Sequence, residues 1–118
     1  MEIDVLILSD FLAFCAEREL RRNWWDSITM KYGAAFALDD AADEALGIAK
    51  KHGAVVDIAI FGCAVSRLKY EANKRLLEAR RLRRIEFLQT YIEGLRKAMR
   101  LARTFAGSYS RGEVIDEN

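Results

Sequence analysis

The chain offers few residues for covalent chemistry. One histidine, His52, and two cysteines, Cys15 and Cys63, are all it has for a thiolate–imidazole pair. Such a pair needs an exposed thiol with the imidazole beside it. Both cysteines sit among apolar residues, so two buried, reduced thiols are expected, and His52 follows Lys50 and Lys51 at the predicted end of a helix, where it caps. A structural zinc site needs about four Cys or His ligands, more than this sequence contains. Asp39, Asp40, Asp43 and Glu44 carry the oxygen ligands that Mg²⁺ and Ca²⁺ take, but without the glycine-bearing loop of an EF-hand. Their place at the start of a predicted helix is explained by its dipole. No Walker A or dinucleotide glycine motif is present. The expectation is a protein with no cofactor, no metal site and no enzymatic activity, one that acts by binding.

The residues that could bind are basic. From Arg67 to Arg103 there are twelve Lys and Arg against four Glu, a net charge of +8. Arg80, Arg81, Arg83 and Arg84 are the densest group, suited to phosphates or to an acidic protein surface. Residues 1–65 carry a net −5 and residues 106–118 a net −2, leaving the chain at +1. An acidic half and a basic half can attract each other, and nucleic-acid binders usually carry an overall basic charge. Trp24 and Trp25 are the second binding candidates. Adjacent helix positions point about 100° apart, so one packs in the core while the other either fills a second packed face or stands exposed to anchor a partner.

These side chains must be positioned by helices. Small and apolar residues recur from Leu68 to Ala102 at a mean step near that of a heptad seam, in a stretch rich in Leu, Arg, Ala, Glu and Lys. This predicts one long basic helix from Ser66 to Phe105. At roughly 1.5 Å per residue it would span about 60 Å, well beyond a compact chain of this size, about 35 Å across. A projecting apolar seam needs a partner, so a homodimer through Leu82, Ile85, Leu88, Ile92 and Leu95 is expected. A break near Gln89–Thr90 or Gly94 would fold the segment into a hairpin instead.

Upstream, a first helix is expected from about residue 3 to Tyr32, stopped by Gly33. A second is expected from Asp39/Asp40 to His52, stopped by Gly53, with an alanine-rich side on which Gly47 would allow the closest approach. Residues 54–65 are apolar all round and belong at the centre. No internal repeat is read. The fold class is therefore all-α, with three to four helices and a long amphipathic basic C-terminal helix. The alternative is a small α+β fold with short strands at 3–8 and 55–61.

The hydrophobic fraction of 52% is ample for one core. Residues 1–107 read as a single helical domain and 108–118 as a mobile acidic tail. The longest apolar stretches, Val5–Ala16 and Ala54–Val65, fall short of the roughly 20 residues of a membrane span. With an acidic N-terminus as well, a cytoplasmic protein without membrane contact is expected. The functional expectation is a helical protein-interaction module, an adaptor or inhibitor docking on a larger protein machine and self-associating through its long helix. The alternative is a nucleic-acid-binding regulator that sets Arg80–Arg84 on phosphates.

Overall fold

The computed structural model describes residues 1–22 and 27–111, with side chains as far as Gly107. Its order is β1 (Glu2–Asp4), α1 (Val5–Arg21), α2 (Ile28–His52), β2 (Val55–Asp57), α3 (Ile58–Glu78) and α4 (Leu82–Arg111). The fold is all-α, with one miniature sheet. That sheet combines the two sequence readings: residues 2–4 and 55–57 pair antiparallel, Ile3 opposite Val56, and helix takes over at once on both strands. A helix beginning at residue 3 is thus corrected to one beginning at Val5.

An aspartate makes each switch. The Asp4 carboxylate accepts from the backbone N–H groups of Leu6 and Ile7, at 3.0 and 3.1 Å. Asp57 accepts from the N–H of Ala59 at 2.9 Å. Both residues cap a helix while their own backbone stays extended. The Ala59 bond, aided by the Met1 ammonium 3.7 Å away, holds the exposed Asp57 carboxyl below its usual range.

The architecture repeats. Strand–helix–helix occurs twice, and the ribbon is symmetric about the Ile3–Val56 pair. Val5 donates its N–H to the Ala54 carbonyl at 2.8 Å, and Ile58 donates to the Met1 carbonyl at 2.9 Å. Moving 53 positions along the chain carries Leu8 to Phe61 and Leu12 to Val65, all fully buried. It also carries Glu19 to Ala72, both buried. Moving 57 positions carries Leu38, Ala41, Ala45 and Ile48 of α2 to Leu95, Ala98, Ala102 and Phe105 of α4, again all buried. The expectation of no internal repeat is corrected. What repeats is the pattern of buried positions, with few identical residues.

The long helix is broken. α3 ends at Glu78, the capping residue Ala79 has extended backbone (φ −69°, ψ 135°), and α4 starts at Leu82. The hairpin reading holds, but the break lies at 79–81 and not at Gln89–Thr90 or Gly94. Nothing in Ala79-Arg80-Arg81 disfavours helix. Two effects oppose continuation. A continuous helix would stack Arg80 on Arg83 and Arg84, and Arg81 on Arg84, each repulsion costing a few tenths of a kcal/mol. Folding back buries Leu88, Ile92 and Leu95, each worth roughly 1.5–3 kcal/mol, so burial decides. The thirty residues of α4 span about 45 Å, which fits the 44 Å long axis of the molecule. No helix needs to project.

α2 is also longer than expected. Gly33 lies within it, and it runs from Ile28 to His52 with Ser27 as its cap. Asp39, Asp40, Asp43 and Glu44 are therefore mid-helix and their dipole rationale fails. Burial, then the neighbouring carboxylates of Asp43, Asp40 and Glu17, push the Asp39 carboxyl up. The close approach is made by Gly33 and Gly94, where α2 and α4 cross side by side and parallel. A Cβ on Gly94 would stand 2.6 Å from Ala37 Cβ and 2.9 Å from the Ala34 carbonyl oxygen. At Gly47, by contrast, nothing lies within 4 Å. Gly53, at φ +93°, does end α2 as read. Among the described residues no helix is long and apolar enough to cross a membrane.

Candidate functional site

The α3–α4 turn gathers the basic residues at one end of the molecule. Arg80, Arg81, Arg83 and Arg84 are all exposed, and none of them forms an ion pair or side-chain hydrogen bond with a described residue. Between them stand two leucines that the fold leaves bare, Leu77 at 88% exposure and Leu82 at 70%. Tyr70, one turn before Lys74 on α3, is exposed as well and carries the Lys74 ammonium 5.4 Å from its ring centre. The turn thus presents exposed apolar side chains next to exposed arginines along the chain.

The acidic half does not cover this tip. Its contacts with the basic half lie elsewhere. The Lys97 ammonium donates to the Glu19 carboxylate at 2.5 Å, and Arg67 reaches Glu44 at 3.4 Å. Of the expected dimer seam, Leu88, Ile92 and Leu95 are buried inside the monomer. Leu82 alone is fully exposed and Ile85 is half-buried. α4 packs chiefly along α2 of the same chain. Trp24 and Trp25 lie outside the described residues.

A cleft of about 380 Å³ opens at the root of the tip, between α2, α3 and α4. Phe36, Phe87 and Tyr91 form its aromatic wall, with ring centres 5.8 and 6.2 Å apart. At its inner end the Tyr91 hydroxyl donates to Asp40 Oδ2 at 2.6 Å. Arg84 lines it at the end nearer the turn, and Arg75 lines it from α3, within electrostatic reach of the Tyr91 hydroxyl. Sequence reading misses this cleft because Phe36 falls between the expected Gly33 stop and the helix expected from Asp39/Asp40, and Asp40 reads as part of an acidic helix start. The available signal was the four-residue spacing shared by Phe36–Asp40 and Phe87–Tyr91.

Burial, reinforced by the hydrogen bond to Asp40 and by its charge, pushes the Tyr91 hydroxyl well above the ordinary tyrosine value of about 10. A group held protonated in this way contributes its full stability below that value and loses it as pH rises through the higher folded one. In an alkaline titration followed by phenolate absorbance, Tyr91 is expected to contribute a late component, well above the ordinary tyrosine value. Tyr91→Phe should delete that late component and leave the earlier ones in place. Loss of an early component instead would mean that the Asp40 bond is not formed.

The thiols divide. Cys15 is buried as expected, whereas Cys63 is exposed and is corrected. α3 turns Phe61, Ala64 and Val65 to the core, and Cys63 falls on the opposite face. It shares a shallow depression with His52 and Glu44, but Glu44 is engaged by Arg67, and no hydrogen bond joins His52 to Cys63. Among the described residues no three His, Cys, Asp or Glu are grouped to hold a metal ion. Comparison with protein-family models, with curated proteins and with solved structures finds no match to this chain.

Proposed function

We propose that the chain is a non-enzymatic protein-interaction module that docks through its α3–α4 tip on an acidic partner surface containing an apolar seat. The observation that carries this reading is the setting of Leu77 and Leu82, bare to solvent, beside four exposed arginines that have no ion-pair partner among the described residues. Exposed leucines cost stability in an isolated chain and gain their value on burial in a partner. The guanidinium groups steer the encounter and select an acidic surface. Phosphate binding, the second reading, uses the same uncovered arginines but gives the leucines no work.

Two variants separate the readings. Arg80/Arg81/Arg83/Arg84→Glu and Leu77/Leu82→Asp are both surface changes and should leave the helical circular dichroism intact. In affinity capture from nuclease-treated extract, partners held by the native chain are expected to be lost by both variants. Retention by both would overturn the proposal. Loss with the arginine variant alone, together with salt-sensitive recovery of DNA or RNA from untreated extract, would establish the phosphate reading in its place.

A further inference from the structure

The internal repeat places a second cleft opposite the first, and the two have different contents. The first-half cleft, about 360 Å³, is lined by Glu19, Met30, Ala34 and Lys97. The repeat equates Lys97 with Asp40, Glu19 with Ala72, and Arg22 with Arg75. In the first-half cleft the chain supplies its own ion pairs, Glu19 to Lys97 at 2.5 Å and Glu19 to Arg22 at 3.6 Å. In the second, Ala72 leaves the carboxylate's place vacant. Among the described residues Asp40 accepts a hydrogen bond from the neutral Tyr91 hydroxyl on Oδ2 and forms no ion pair, and Arg75 and Arg84 make no ion pair with a described residue.

We infer that this second cleft binds a mononucleotide with an amino-bearing base, its ring on Phe36, Phe87 and Tyr91, its amino group on Asp40 and its phosphate on Arg75 and Arg84. Three features select this class. The wall is aromatic over a length that suits a planar ring, and stacking on such side chains is how proteins hold bases. The volume lies in the range of small-molecule sites. The lining is polarised: Arg84 and Tyr91 are seven residues apart on α4, about 10 Å along its axis, so the Arg84 cation stands toward the turn and the Asp40 acceptor at the inner end, with Arg75 within electrostatic reach of the Tyr91 hydroxyl. A free amino acid, whose ammonium and carboxylate share one carbon, cannot serve both ends. A nucleotide separates phosphate from exocyclic amine by sugar and ring. Glu71 on the same wall balances the second arginine, which suits a monophosphate better than a triphosphate.

Equilibrium dialysis with labelled adenosine and cytidine monophosphates tests this on the full chain. Saturable binding is expected, with adenosine, uridine monophosphate and free tyrosine each weaker by about tenfold or more, the loss that follows from one unmade charged hydrogen bond. Arg75→Gln and Asp40→Asn should each weaken binding by a similar factor. Neither residue belongs to the docking tip, so the two proposals fail separately. Asn keeps an acceptor for Tyr91, and thermal melting of both variants confirms that they fold. Binding unchanged in both variants, inorganic phosphate competing as well as the nucleotide, or no binding by either nucleotide would overturn the assignment. A single-stranded oligonucleotide that competes for the same site supports it and identifies a strand as the source of the nucleotide.

Discussion

Gly94→Val should lower the stability of the protein by about 3 kcal/mol or more, the upper range of overpacking costs. A Cβ there would lie 2.6 Å from Ala37 Cβ and 2.9 Å from the backbone oxygen of Ala34. Neither is the end of a flexible side chain that could swing aside. α2 and α4 would have to separate, and their contact forms the centre of the molecule. For a domain of this size the loss corresponds to a fall in Tm of at least about 10 °C. Gly47→Val is the control: it makes the same change inside a helix where nothing lies within 4 Å, and it should shift stability by less than about 0.5 kcal/mol. Urea unfolding of the two variants reads the difference. Equal midpoints would mean that α2 and α4 do not cross at Gly94.

Lys97→Met is expected to cost about 2–4 kcal/mol, because it strips a 2.5 Å ion pair from a carboxylate that is 2% exposed. Arg22, 3.6 Å from Glu19, softens the loss. The repeat indicates the compensating change. Its second copy places Ala72 where the first has Glu19, so the fold tolerates an apolar residue there. Glu19→Leu combined with Lys97→Met should recover most of the stability, since a buried pair replaced by apolar groups of similar volume is near neutral. A double-mutant cycle by chemical unfolding measures the coupling. A double variant no more stable than Lys97→Met alone would show that the pair does not act as a unit.

The sequence makes some of this legible. Helix content, the Gly53 stop and the gathering of charge at Arg80–Arg84 follow from composition and local signals. The pairing of residues near 3 with residues near 56 is visible as two short β-branched runs with no other candidates. Three features are not local and are misread. Gly33 resembles a stop by the usual punctuation, yet it lies inside α2 because α4 needs a residue without a side chain there. The acidic run at 39–44 resembles a helix start, although its side chains serve Tyr91 and Arg67 from mid-helix. The 79–81 break contains only good helix formers, and the burial of Leu88, Ile92 and Leu95 enforces it from a distance. The repeat is hidden because the halves share a pattern of buried positions with few residues in common, and because the two helices of each half follow offsets that differ by four.

That repeat also bears on concentration. Two strand–helix–helix units completing one ribbon and one core would, as separate polypeptides, face an assembly equilibrium and come apart on dilution. Here only Gly53 and Ala54 stand between α2 and β2. So short a tether sets the second unit at an effective concentration on the order of millimolar or above. Completion of the core is then a folding step within one molecule, and its extent does not depend on how much of the protein is present. The pairing of the two units is thus a property of the single chain, held by the tether at any dilution.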